Sequence, residues 1–307
     1  MGARGLIQRV FGLVGVLFCV VTITFFLIRI SPGGPFDAER KLPPAIEKAL
    51  LAKYQLDGSI WQQYVAYLSD LVRGDLRLST KYRNRTVNEI LAQTLPVTMT
   101  LGAIAFGIAV VGGVWLGTFA AVFHRTARDF YAMLFALLCI SLPTFVIGPL
   151  LIMVFAIQLG WLPVGGWGGV RHMILPAITL ALPYLAYIAR LMRGSMLEVL
   201  QMDFVRTARA KGLTELRTVG LHALRVAILP VVTFCGPLAA HLLTGSIIVE
   251  TIFHLPGAGG FFVNSVLNRD GFLLGGVVIV YCTLLVLCNF IVDLAYGVLD
   301  PRMRTDG

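Results

Sequence analysis

Three ionisable side chains stand where a membrane-buried reaction or proton relay would need them. His241 lies inside an apolar stretch, Glu250 just past its end, and Asp293 near the end of the last such stretch. Proton pumps and proton-coupled carriers keep a chain of Asp, Glu or His at depth, because a charge there is costly and is retained for use. Three isolated groups make no such chain, and His241 reads as a packed or hydrogen-bonded histidine. Motifs for other chemistry are missing too: the sequence holds no HExxH, no GxSxG, no carboxylate pair at a catalytic spacing and no GxxxxGK[ST] phosphate loop. Gly257, Gly259 and Gly260 lie close together, but they follow no strand pattern. Cys19, Cys139, Cys235, Cys282 and Cys288 all fall in apolar runs without CxxC spacing, so they read as small buried hydrophobes and not as metal or redox groups.

What remains is recognition. The insertion 193–225 carries, counted from Arg190, seven basic residues and three acids, Glu198, Asp203 and Glu215. Asp203 to Lys211 reads as a short helix with Phe204, Ala208 and Lys211 at helical spacing, and Gly212 is placed as its left-handed C-cap. A second amphipathic piece runs from Thr214 to Arg225. Small Ala208 and Ala210 would let another surface approach closely while the basic flanks orient it, which is the helix-in-groove mode of docking. A bulky residue at Ala208, or proline at Gly212, is expected to break that docking.

The elements that must hold this insertion follow from composition. Of 307 residues, 57% are apolar and 13% charged, against roughly 25% charged in a soluble domain. Apolar runs at about Leu6–Ile30, Leu95–Phe123, Tyr131–Leu159, Met173–Met192, Val226–Val249 and Phe272–Val298 are each long enough to cross a bilayer. The expectation is an all-α polytopic membrane protein with six transmembrane helices and both termini on one side. If that side is cytoplasmic, the inner segments hold thirteen of the 25 Lys and Arg, and the two short outer loops hold only Arg171 and Arg269. Nine more basic residues fall in 31–94, a long outer segment that also carries seven acids and is largely exempt from this count. The formal charge of +9 therefore requires no nucleic acid. The first run is too long for a signal peptide, and Ile28, Arg29 and Ile30 offer no small-residue cleavage site, so it reads as a retained helix.

Within 31–94, Pro32, Gly33, Gly34 and Pro35 predict a turn. Two amphipathic helices are then expected, Pro44 to Tyr54 and Trp61 to Val72, the second ended by Gly74, as caps against the membrane face. Thr86 and Glu89 form a capping box for a further short helix that Pro96 ends or kinks. Pro96, Pro143, Pro149, Pro176, Pro183, Pro230 and Pro237 lie in or beside spans, and the carbonyls they free hint at a pathway lined by broken helices.

Thr207-Ala208-Arg209-Ala210-Lys211-Gly212, followed by His222-Ala223-Leu224 and Leu229-Pro230, resembles the EAA signature of permease subunits of bacterial ABC importers, in its dipeptide and oligopeptide form. The resemblance continues through Ser31-Pro32-Gly33, Gly74-Asp75-Leu76, Leu175-Pro176-Ala177, Ala189 to Met196, Glu250-Thr251-Ile252-Phe253, Leu255-Pro256-Gly257, Asn268-Arg269-Asp270 and Leu299-Asp300-Pro301-Arg302. Pro35-Phe36, Lys81-Tyr82 and Gly160-Trp161-Leu162-Pro163 further resemble the first permease subunit of oligopeptide systems. Arg206 stands where the general signature has an acid, and the gap from Gly212 to Leu229-Pro230 is longer, features shared with this branch.

The resemblance implies a type I importer half-pore in the bacterial inner membrane, with both termini cytoplasmic. Residues 1–30 would be the N-terminal tip and first span, 31–94 the extracytoplasmic segment, 95–298 the importer core with coupling helices in 203–225, and 299–307 the tail. The helices from Asp203 to Arg217 would dock in grooves of two cytoplasmic ATPase subunits, with Asp203, Phe204, Thr207, Ala208, Arg209, Ala210, Lys211 and Gly212 as the coupling residues. Glu250, Pro256, Gly257, Asn268, Arg269 and Asp270 would form an outer-gate loop. Partners would be a homologous second permease, an extracytoplasmic peptide-binding protein and membrane lipid. ATP and Mg would be bound by the ATPases, with no catalysis and no cofactor in this chain. The substrate would be oligopeptides, with dipeptides, glutathione, nickel or an antimicrobial peptide as alternatives in the same family. A secondary carrier working without ATP is the rival from another class, and it would need the intramembrane ionisable residues and internal repeats that are not evident.

Overall fold

The computed structural model describes residues 3–30 and 44–299, and the side chains of 11–30 and 48–292. The turn read at Pro32 to Pro35, the Asp293 side chain and the motif at Asp300-Pro301-Arg302 lie outside the described residues. Helix α1 spans Ala3–Ile30, α2 Pro44–Lys53, α3 Ile60–Val72 and α4 Val87–Val122. Then come α5, Ala127–Ser141, and α6, Thr144–Leu151, which continues as a π-helical stretch over Ile152–Gln158. Helix α7 is Val170–Val199 and α8 Asp203–Ala210. A run from α9, Glu215–Arg217, through π-helical Thr218–Ala223 to α10, Leu224–Ala227, leads into α11, Leu229–Leu243. Helices α12, Ile247–Ile252, α13, Gly259–Leu267, and α14, Gly271–Leu299, complete the order. Among the described residues the fold is all-α, apart from one isolated bridge between Leu78 and Thr86.

Among the described residues, four helices are long and apolar enough to cross a membrane: Phe11–Ile30, Val87–Val122, Val170–Val199 and Gly271–Val292. Two bent pairs, Ala127–Ser141 with Thr144–Gln158 and Glu215–Ala227 with Leu229–Leu243, bring the total to as many as six. The first pair covers the apolar run Tyr131–Leu159, and its halves meet at 109°. The cause is local. Proline forces the preceding residue out of the helical region, and Leu142, just before Pro143, is extended at φ −86° and ψ 123°. Pro96, by contrast, neither ends nor separates a helix, because α4 runs through it for 36 residues. Pro176, Pro183 and Pro237 likewise lie inside continuous helices. The predicted capping box is present: the Glu89 N–H donates to Thr86 Oγ1 and the Thr86 N–H to Glu89 Oε2, both at 3.1 Å.

The chain divides into two compact units. In the one that contains Thr98–Pro256, α5 and α7 pack through Ala136, Cys139 and Ala186. At the polar end of that pair, Arg193 grips Asp129 with two hydrogen bonds, Nε to Oδ1 and the second nitrogen to Oδ2, each 2.7 Å. The Asp129 side chain is only 8% exposed and also accepts from the Arg125 N–H at 3.1 Å. Removing one member of such a pair leaves its partner's charge in a poorly solvated place. Asp129→Asn is expected to cost about 1–3 kcal/mol, discounted because Arg193 remains partly solvated, and to lower the detergent melting temperature. An unchanged melting temperature would show the pair to be dispensable.

In the unit that contains Gln8–Val97 and Gly257–Thr283, Val21, Phe25, Tyr64 and Tyr67 form one core cluster. Val87, Ile90, Leu91, Phe272, Leu273 and Val277 form another. Helix α3 thus lies against α1 as an amphipathic cap, with a Ser59–Gln62 capping box at its start and Trp61 left 68% exposed. Burial pushes the Tyr67 hydroxyl up to about 12 against the opposing pull of Arg77, so it stays protonated. Of the cysteines, Cys139 and Cys288 are buried as expected, whereas Cys19 is exposed.

Candidate functional site

Helix α8 starts at extended Met202, carries Asp203 in its first turn and Arg209 in its last, and so complements the helix dipole at both ends. Its end is a complete Schellman motif. The Gly212 N–H donates to the Arg209 carbonyl at 2.9 Å and the Leu213 N–H to the Ala208 carbonyl at 3.3 Å. Gly212 sits at φ +80°, which glycine adopts without a Cβ penalty. The Arg209 guanidinium then forks onto Glu215, with Nε 2.8 Å from Oε1 and the second nitrogen 3.2 Å from Oε2, bracing α8 against the start of α9. Arg206 and Asp203 form a looser, solvated pair at 3.6 Å.

Burial reassigns the faces of this helix. Val205 and Ala208 are buried within the chain, so Ala208 packs inward and is not the open docking position read from sequence. Phe204, Thr207, Arg209, Ala210, Lys211 and Gly212 are exposed. Phe204 is 40% exposed, and Met202 and Leu216 are 43% and 87% exposed. Three large apolar side chains are thus exposed on a polar, basic insertion. The second amphipathic piece begins at Glu215 and runs past Arg225 to Ala227, its middle turn π-helical.

The residues expected to form one outer loop belong to separate elements. Glu250 is in the first turn of α12, 3% exposed, and accepts a hydrogen bond from Thr98 Oγ1 at 2.7 Å. Pro256 is exposed, while Gly257 is buried. Gly259 and Gly260 are helical, opening α13. Asn268 and Arg269 are exposed at the end of α13, Arg269 in the left-handed region at φ +58°. Asp270 is 1% exposed and caps α14: it accepts from Ser79 Oγ, from the Thr80 N–H at 3.3 Å and from the Leu273 N–H at 3.2 Å. Ser79 Oγ in turn accepts from the Tyr82 N–H at 2.9 Å, and the Tyr54 hydroxyl donates to the Ser79 carbonyl at 3.1 Å. Burial, aided by the Asp270 charge, holds Tyr54 above the usual phenol range and keeps that donor in place. Asp270 is therefore a structural pin of its unit, and Glu250 an internal anchor of the other.

His241 is exposed on α11, with its ring 5.6 Å edge-on from Tyr184. Among the described residues no group of three or more His, Cys, Asp or Glu could hold a metal ion. Sequence reading missed the Asp129–Arg193 pair, whose members are 64 residues apart. It also missed Gly113 and Gly117 on α4, whose GxxxG spacing is a recognised signal for close helix approach.

Comparison with known proteins agrees with this architecture. Residues 113–305 match the family model described as "Binding-protein-dependent transport system inner membrane component". The oligopeptide transport system permease protein OppB of Haemophilus influenzae is 47% identical over 290 residues, covering 94% of this chain and 95% of the relative. OppB of Salmonella typhimurium is 47% identical over 301 residues, 97% of this chain and 98% of the relative. The dipeptide transport system permease protein DppB of Bacillus subtilis is 42% identical over 302 residues, 98% of both. Among solved structures, an inward-facing form of the MetNI methionine ABC transporter aligns with a TM-score of 0.58 at 16% identity, covering 69% of this chain and 96% of that one, which shows a shared fold. With more than half its length matched by the family model and near-complete alignment to these permeases, the chain belongs to the family of binding-protein-dependent transport system inner membrane components.

Proposed function

We propose that this chain forms half of the translocation pathway of an ATP-driven oligopeptide importer, with its termini and α8 on the cytoplasmic side. The observation that carries this reading is the 47% identity, over nearly the whole chain, to oligopeptide permeases. The exposed apolar side chains Met202, Phe204 and Leu216 support it, because such side chains suit a groove on a partner. In this reading a homologous second permease completes the pathway, an extracytoplasmic binding protein delivers peptide, and two ATPase subunits bind ATP and Mg. Closure of the ATPase pair moves the α8 elbows together and swings the spans between inward- and outward-facing states, a coupling of two sites through rigid elements.

Affinity capture of the full chain from its native membrane, followed by ATPase assay of the captured complex, tests this. The expected result is co-purification of a second permease and ATPase subunits whose turnover rises with peptide and binding protein. Capture of the chain alone, with peptide uptake persisting after ATP depletion and collapsing with the ion gradient, would favour a secondary carrier.

A further inference from the structure

Arg29, Arg269 and Thr80 line one cavity of about 180 Å³, set between the last turn of α1 and the first turn of α14 and walled also by Phe25, Ile28 and Phe272. The Arg29 guanidinium lies 5.4 Å from the Phe25 ring centroid and 6.0 Å from that of Phe272. Its Nε is buried with no hydrogen-bond partner among the described residues, and Thr80 Oγ1 on the same cavity is buried and unpartnered as well. Among the described residues, the neighbouring carboxylates are committed elsewhere. Asp70 pairs with Arg77 at 2.7 Å, and Asp270 is held by Ser79, Thr80 and Leu273. Cation–π contacts offset only part of the cost of a partly desolvated guanidinium, which ordinarily takes a carboxylate or phosphate in a forked hydrogen bond.

The position of the cavity decides which anion. Candidate spans Phe11–Ile30 and Gly271–Val292 both reach their ends here, so the cavity sits where a bilayer's hydrocarbon gives way to its headgroups. On α1, Ile23 and Leu27 are 57% and 63% exposed and lead up to Arg29 as a surface for acyl chains. We propose that the cavity binds the phosphate of a membrane phospholipid. Arg29 Nε and the Arg269 guanidinium supply the positive charge, Thr80 Oγ1 donates a hydrogen bond, and the acyl chains lie outside along α1.

The test is native mass spectrometry of the full chain purified in detergent and titrated with dioleoyl phosphatidylglycerol, dioleoylglycerol or inorganic phosphate. Retention of phosphatidylglycerol is expected to weaken about tenfold in both Arg29→Gln and Arg269→Gln, with Arg29→Lys intermediate. Dioleoylglycerol should not be retained above background, and excess inorganic phosphate should not displace the lipid. Arg269 is exposed, so its variant keeps the fold, and Arg29→Gln should melt no lower than wild type in lipid-free detergent. Equal retention of phosphatidylglycerol by wild type and both variants overturns the proposal. Dioleoylglycerol bound as well as phosphatidylglycerol reduces the cavity to an apolar groove and overturns it too, and displacement by inorganic phosphate assigns the site to a free anion instead.

Discussion

Gly117→Leu is expected to abolish a monodisperse, thermally stable protein. Helices α4 and α7 cross where Gly113 and Gly117 bring one backbone against the other. A Cβ on Gly117 would sit 2.7 Å from the Met192 Cβ and closer still to the Ala189 carbonyl, and one on Gly113 would sit 2.7 Å from the Ile188 Cβ. Ile188, Ala189 and Met192 are fully buried, so none can swing aside. Overpacking of this kind costs about 3 kcal/mol or more when the obstacle is backbone, a large part of a stability of roughly 5–15 kcal/mol. Gly107→Ala is the control, because nothing lies within 4 Å of the added Cβ. There the intrinsic helical gain of alanine over glycine, roughly 0.5–1 kcal/mol, is unopposed. Size-exclusion profiles and melting temperatures in detergent should therefore move in opposite directions for Gly117→Ala and Gly107→Ala, with Gly117→Leu well below both. A wild-type melting curve for Gly117→Leu would mean that α4 and α7 do not touch there.

The Schellman motifs explain much of what was legible in the sequence and what was not. Gly74 and Gly212 end α3 and α8 as left-handed C′ residues at φ +76° and +80°, and both ends were readable because glycine announces them. The same pair of hydrogen bonds recurs where Gln55, His254 and Arg269 occupy the left-handed position, at φ 55°, 52° and 58°. A non-glycine residue there carries about 1–2 kcal/mol of strain that tertiary packing must offset, and nothing in its chemistry signals a helix end. Helices α12 and α13 were consequently read as a single outer loop. Six apolar runs were visible by length alone and Pro143 marked a break, but the 109° angle at Leu142 has no signal in the sequence. Pairings over long separations, Asp129 with Arg193 or Ser79 with Asp270, have no local signature. Helix α8 was legible because its chemistry is local: a polar N-terminus, a short amphipathic turn and a glycine stop. Which of its faces is free depends on packing, and the burial of Ala208 has no signal in the sequence.

Gly212→Pro is expected to reduce peptide uptake to below about a tenth of wild type while the protein inserts normally, because it attacks the α8 elbow in three ways at once. Proline fixes φ near −65°, against the +80° observed. It removes the N–H that bonds the Arg209 carbonyl, and it disfavours the helical conformation of Lys211, at φ −78° and ψ 3°. The local cost of roughly 3 kcal/mol unwinds the last turn and parts Arg209 from Glu215. Phe204→Ala separates docking from folding. Phe204 is 40% exposed, so the free chain loses less than with a core substitution, whereas burying the exposed part of the phenyl in a partner groove is worth about 1 kcal/mol and its loss should weaken ATPase capture about fivefold. Ala208→Trp cannot make this distinction, because it overfills a position that is 7% exposed and destabilises the permease itself. The measurements are peptide uptake in cells, membrane abundance by blot, and peptide-stimulated ATPase activity of the purified complex. The signature of uncoupling is preserved abundance, preserved basal hydrolysis and lost stimulation. Wild-type uptake by both Gly212→Pro and Phe204→Ala would show that force passes to the spans by another route, and the coupling role of 203–212 would have to be abandoned.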